Sequence, residues 1–375
     1  MSAIARQNAR RLVDLAIRKP QAVLDLDDVD LDLVVRLLRR ANLLGWLGSA
    51  LEDSPAASVL PPIAIDHLDS AKVMAEARAR LAGWELDRIA WAMRLEPDIE
   101  LISMKGCTYL LLDLPIAAGR IFADVDLLLA EDDLERAEAV LNHMGWRGME
   151  LTPYDDRYYR RWTHELPPLM HVEREVEIDL HHTILPRTAR LKPDSRKLIE
   201  NARDVPGSPY KVLANEDIVL HAMAHLMFDS DLADKLRDLV DIAGLLERFS
   251  SEDEEFWERL LGRAAELDLG RPAYYALRYV KTLLGTAVPD AVLEESRRFA
   301  PPRPVGWLMD RLVPQALYPQ HPDHPSRRTA LSRLLLYMRS HWLRMPPWLL
   351  AYHLTYKTIV RMQHSLRPDL QDAQR

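Results

Sequence analysis

Along most of the chain apolar residues return at helical spacing with polar residues between them. Met74, Ala77, Leu81 and Trp84 follow at intervals of three, four and three, which predicts a helix with that stripe turned to a core. The opening MSAIARQNARRLVDLAIRK reads as a short amphipathic helix, and DSPAASVLPP at 53–62 separates two helical blocks. The acidic run LDLDDVDLDL at 24–33 lacks the glycine and the terminal glutamate of a calcium loop. It fits a solvated helix start, where acidic side chains are favoured.

The pattern changes over residues 98–185. DIELISMK reads as a strand entering a turn at Gly106, followed by a short helix around Tyr109–Leu112, and RIFADVDLLL as a second strand. EDDLERAEAVLNHMGW has an acidic first turn and a stripe of Leu134, Ala137, Leu141 and Met144, with Gly145 to end the helix. WRGMEL and the stretch through LPPLMHV supply further strands, and VEIDLHHTI ends the sheet. Strand and helix alternating over so short a stretch predict a small mixed α/β unit.

Helical periodicity returns from Asn215 in EDIVLHAMAHLMF, DKLRDLVDIAGLLERF and EDEEFWERLLGRAAEL. Two proline-rich connectors, APPRPVG at 300–306 and YPQHPDHPS at 318–326, divide the C-terminal region. The segment MRSHWLRMPPWLLAYHLTYKTIVRMQ then predicts one or two amphipathic helices before a frayed tail. The nine tryptophans are scattered and read as core and groove packing. At 375 residues the chain exceeds one small core. A net charge of -8 argues against a broad nucleic-acid-coating surface. The single cysteine, Cys107, excludes an intramolecular disulfide and a cysteine-rich zinc site, and fits a reducing cytoplasm. No apolar run reaches the length of a membrane span, and the N-terminus lacks the features of a signal peptide, so a cytoplasmic location is expected.

The candidate chemistry lies in the middle. Asp124 and Asp126 alternate with Val125 and Leu127, so in a strand both carboxylates point to one face. Asp179 adds a third carboxylate in another strand-like run about fifty residues later, with His181 on its face and His182 on the other. Unpaired carboxylates at the edge of a core repel, and a hard divalent cation removes that cost. This predicts a metal site for phosphate chemistry, in which Asp126→Asn relieves repulsion in the metal-free protein. Lys105 and Gly106 stand at a strand-to-helix turn, where a backbone without Cβ and a point charge suit phosphate. Arg120, just before the second strand, is placed to reach either phosphate or the carboxylates, with a surface role as the alternative. His221 and His225 share a helix face without the glutamate of a zinc protease, and line a cleft or a core. Arg237 is spaced to pair with Asp241 on its own helix or to contact ligand.

In KGCTYLLL, GRIFADVDLLL and EIDLHH, supported by LHAMAHL and DKLRDLVDIAGLL, the chain resembles the uncharacterised nucleotidyltransferase family proteins. That superfamily has a DNA polymerase beta-like core. The resemblance implies an α+β fold with a small mixed nucleotidyltransferase-type sheet flanked by largely helical N- and C-terminal regions. The implied division is a helical region over 1–97, a nucleotidyltransferase core over 98–214, a helical domain closing the cleft over 215–299, and a connector with C-terminal helices over 300–375. It implies Asp124, Asp126 and Asp179 as ligands of Mg²⁺ or Mn²⁺. The family's glycine-serine turn is Gly106-Cys107 here, with Thr108 as a partial substitute for the serine. The implied activity transfers a nucleoside monophosphate from a nucleoside triphosphate to a hydroxyl of a small molecule, peptide or RNA. Lys105, Gly106, Thr108 and Arg120 are then expected at the nucleotide, and His181, His221, His225 and Arg237 around the acceptor. The alternatives are glycosyl transfer from a nucleotide-sugar, a toxin-like enzyme acting on RNA ends, and a non-catalytic nucleotide-binding module.

Overall fold

The computed structural model describes residues 2–149, 151–228 and 232–352, so the expected tail and part of the last amphipathic segment lie outside the described residues. The chain is α+β: helices flank a mixed seven-stranded sheet of order β3-β4-β5-β2-β1-β7-β6. Five helices precede it: α1 (Ser2–Arg18), α2 (Asp28–Arg40), α3 (Leu44–Ala50), α4 (Ala56–Val59) and α5 (Pro62–Ala92). The strands are β1 (Ile102–Ser103), β2 (Asp124–Leu128), β3 (Trp146–Gly148), β4 (Leu169–His171), β5 (Glu177–His181), β6 (Arg203–Asp204) and β7 (Lys211–Val212). Helices α6 (Lys105–Leu111), α7 (Leu134–His143), α8 (Pro153–Trp162) and α9 (Ser195–Glu200) connect them. Then follow α10 (Asn215–Phe228), α11 (Leu236–Glu252), α12 (Phe256–Glu266), α13 (Gly270–Tyr279), α14 (Asp290–Ser296), α15 (Arg303–Leu317) and α16 (Arg327–Arg344).

Alternation explains how the sheet sits. Val125, Leu127, Ile178 and Leu180 are buried on one face, in a core that includes Leu86 and Ile89 of α5 and Leu141 of α7. A second core joins α1, α2 and α3 to α10, α11 and α13, so helices from both ends of the chain pack together. The turn before β2 is fitted closely to α3. Gly119 adopts φ +64, and a Cβ there would lie 2.1 Å from the carbonyl carbon of Gly45. Only glycine satisfies both the left-handed backbone and that approach. The acidic run at 24–33 does begin a helix, with the Asp27 side chain accepting from the Asp30 amide.

Several expectations are corrected. The α5 helix forms, but Met74, Leu81 and Trp84 are exposed, while Ala75, Ala82, Leu86 and Ile89 are buried. Small residues let α5 approach its neighbours closely, so its buried stripe is less apolar in appearance than its outer one. The sheet does not end at β5: β7 pairs parallel to β1, and β6 extends that edge. Between β3 and β4 the chain forms α8, capped by Thr152, where only strands were expected. Helix α6 starts at Lys105 rather than near Tyr109. Of the tryptophans only Trp146 is fully buried, whereas Trp84, Trp91, Trp307, Trp342 and Trp348 are exposed. In α16 the buried positions are Ser332, Leu336 and Ser340, and Leu331, Leu334, Leu335, Met338 and Trp342 face outward.

Candidate active site

In the parallel β2/β5 ladder Asp126 stands opposite Asp179, Asp124 opposite Glu177, and Leu128 opposite His181. Opposed residues share a face, so the three aspartates and His181 lie on the side away from the Val125/Leu127 core. Asp126 is buried, and its Oδ1 accepts from Lys105 Nζ at 2.5 Å and lies 2.8 Å from His181 Nε2. These contacts change the expected effect of Asp126→Asn, because the carboxylate is compensated without any ion. Asp179 is the uncompensated group. Its Oδ1 is buried without a hydrogen-bond partner among the described residues. Burial, then Asp126 and Glu165, push its carboxyl up to about 8. Burial and Asp126 likewise raise Asp124 above the usual carboxylate range.

Lys105 reaches Asp126 because its backbone turns left-handed, at φ +48, a conformation that costs a non-glycine residue on the order of 1 kcal/mol or more. Burial opposes its charge, but Asp126, with Asp124 and Asp179, holds the ammonium above its ordinary value. Gly106 follows, and a Cβ there would meet the Phe122 ring at 3.1 Å and Arg120 Nε at 3.4 Å. The Cys107 thiol donates to the Asp124 carbonyl at 3.6 Å, tying α6 to β2. Thr108 is buried, its hydroxyl contacts Ser103 Oγ at 3.4 Å, and it lines an inner cavity with His221 and Lys105, whereas it is not among the residues lining the outer cleft.

That outer cleft, of about 480 Å³, is lined by Asp124, Gly106 and His225 and by the cations Arg40, Lys105, Arg120, Lys235 and Arg237. Arg120 pairs with Asp241, and its guanidinium sits 5.4 Å from the centroid of the Tyr109 ring. Arg237 donates to Asp241 Oδ1 at 2.8 Å and to the Ile116 carbonyl at 2.5 Å, which fixes it at the cleft wall. Arg237 forms the intrahelical pair and also lines this cleft. Burial, then Lys105 and His181, depress His221 to about 3, so it is neutral and within electrostatic reach of the carboxylates. The His221 and His225 rings are 6.5 Å apart, edge to face.

Sequence reasoning missed His164 and Glu165. Residues 164–166 pair with the end of β5: Leu166 N donates to Leu180 O at 2.9 Å and His182 N to His164 O at 3.0 Å. Glu165 Oε2 thereby lies 3.5 Å from His181 Nδ1 and 3.4 Å from His164 Nε2. Burial pushes the Glu165 carboxyl up to about 7 against the pull of Lys105. The available signal was a His-Glu pair just ahead of Leu-Pro-Pro-Leu, whose prolines favour extended backbone.

Asp126, Asp179 and His181 each offer an atom within 4.8 Å of the others. His181 Nε2 is already spent on Asp126, so the carboxylate oxygens are the hard donors. With a buried, unpartnered oxygen on Asp179, this set fits a divalent cation. No curated protein and no solved structure matches the chain. A family model described as uncharacterised nucleotidyltransferase matches residues 27–285, and the chain belongs to that family.

Proposed function

We propose that this protein transfers a nucleoside monophosphate from a nucleoside triphosphate to an acceptor hydroxyl, releasing pyrophosphate. Family membership supports nucleotidyl transfer from a nucleotide substrate in general. The observation that carries the finer reading is the placing of Asp124, Asp126 and Asp179 on one sheet face beside a cleft walled by Lys105, Arg120 and Arg237. Such a cleft is of a size for one small ligand. It also contains Asp124, Asp234 and Asp238, which interrupts any continuous basic groove for RNA.

Asp124, Asp126 and Asp179 would hold Mg²⁺ or Mn²⁺, which when bound neutralises triphosphate charge and acidifies a hydroxyl. Lys105, Arg120 and Arg237 balance phosphate charge along the cleft, the two guanidiniums being pre-positioned by Asp241. Gly106 leaves that part of the wall without a side chain. The acceptor oxygen forms the new bond to the α-phosphorus, the α–β bridging bond breaks, and pyrophosphate leaves. Asp179, whose Oδ1 has no hydrogen-bond partner among the described residues, receives the hydroxyl proton. His181 orients Asp126, and His221 and His225 on α10 border the acceptor side as neutral groups.

Among the described residues no helix is long and apolar enough to cross a membrane. Calorimetric titration tests the ligand class. A triphosphate with Mg²⁺ should bind the wild type and lose most of its affinity in Asp124→Asn. Tighter binding of a nucleotide-sugar than of any triphosphate overturns the reading in favour of glycosyl transfer.

A further inference from the structure

We infer that His164, Glu165 and His181 form a second metal site, for a borderline transition ion such as Zn²⁺, adjoining the aspartate cluster through His181 but using none of the aspartates. The three residues each present a ligand atom within 4.8 Å of the others. Their distances are specific: Glu165 Oε2 is 3.4 Å from His164 Nε2 and 3.5 Å from His181 Nδ1. Two ligands at about 2.1 Å from a tetrahedral ion stand about 3.4 Å apart.

The proton inventory points the same way. Asp126 Oδ1 accepts from His181, so the ring proton belongs on Nε2. His181 Nδ1 then carries a lone pair, and it is buried with no hydrogen-bond partner among the described residues. It faces a carboxylate oxygen of Glu165, and when Glu165 is ionised the two opposed acceptors repel. A cation between them turns the repulsion into two bonds. For His181 the arrangement also supplies the outer support typical of metal-binding histidines, because its other ring nitrogen donates to a carboxylate. Two imidazoles and one carboxylate suit zinc, cobalt or manganese better than magnesium, and three protein ligands leave a position open. His164 and Glu165 are each about one-fifth exposed, which gives an ion a way in.

The test uses chelator-treated full-length protein with Zn²⁺ or Co²⁺ alone and no nucleotide, so it is separate from the proposed transfer reaction. Wild type should bind one equivalent of Co²⁺ with visible absorption of a four- or five-coordinate ion, displaced by Zn²⁺. Glu165→Gln and His164→Gln should each weaken Zn²⁺ binding at least about tenfold, while Asp124→Asn should not. Near-isosteric Gln variants with wild-type circular dichroism separate ligand loss from misfolding. Zn²⁺ binding that survives Glu165→Gln and His164→Gln, or no measurable binding in wild type, overturns the assignment. So does binding that survives these changes but disappears in Asp179→Asn, which would place the ion on the carboxylate face.

Discussion

Asp126 and Asp179 stand opposite each other on adjacent parallel strands, yet only one of them is compensated: Asp126 Oδ1 meets Lys105 and His181, and Asp179 Oδ1 meets no hydrogen-bonding partner among the described residues. Two identical residues in one register thus have opposite roles in the metal-free protein.

Their isosteric replacements should therefore diverge. Asp126→Asn takes from a largely buried ammonium its hydrogen-bonded counter-charge and should lower stability by about 1–3 kcal/mol. Asp179→Asn removes an uncompensated carboxylate and should leave stability unchanged or raised. Denaturant unfolding in the presence of chelator measures both; equal losses in the two variants would contradict the asymmetry.

The pH dependence follows with its sign. The Asp179 carboxyl is raised to about 8 in the folded protein, above the unfolded value of about 3.9. Between those values the unfolded chain has released a proton that the folded chain retains, so Asp179 weakens the fold as pH rises through this window. The stability of Asp179→Asn relative to wild type should accordingly grow from about pH 4 to about pH 8 and level off above. Taking the difference between variants cancels the opposing contributions of His181 and His221, whose depressed values favour the fold at higher pH. Paired unfolding curves across this range check it, and a flat difference rejects the assignment of the shift to Asp179.

Glu85 is fully buried and accepts from Trp146 Nε1 at 2.6 Å and Arg174 Nε at 2.6 Å beneath the sheet. Glu85→Ala should cost about 3–5 kcal/mol, because a largely buried guanidinium loses its partner. Thermal melting tests this, and a loss below 1 kcal/mol would mean that Arg174 finds solvent instead.

Arg120 should act on binding more than on the chemical step. Arg120→Ala removes one charge-assisted contact of about 1.5–3 kcal/mol, expected as a rise in KM for the triphosphate of roughly ten- to a hundredfold with a smaller change in kcat. Because Asp241 retains Arg237 as a partner at 2.8 Å, the fold should survive, as melting would verify. An unchanged KM would remove Arg120 from the nucleotide cleft.

Much of the carboxylate face was legible because it depends on period two. With Val125 and Leu127 required in a core, Asp124 and Asp126 had to face the other way, and the same holds for Ile178, Asp179 and Leu180. Facts that depend on distant pairing were not legible. His164 and Glu165 reach the site only because an irregular segment hydrogen-bonds to the end of β5. The contact of the Thr108 hydroxyl with Ser103 depends on α6 beginning at Lys105, which local pattern did not reveal. The α5 stripe was misread because close packing there uses Ala75 and Ala82, which carry little hydropathy signal.

The central claim is tested most directly by following both halves of a triphosphate. Wild type with Mg²⁺, a triphosphate labelled at the α-phosphate, and a cell extract as acceptor source should yield pyrophosphate in equal amount to the label transferred. Asp126→Asn and Asp179→Asn should yield neither. Nucleotide bound by wild type with no pyrophosphate formed, or pyrophosphate release that persists in both variants, would contradict the account.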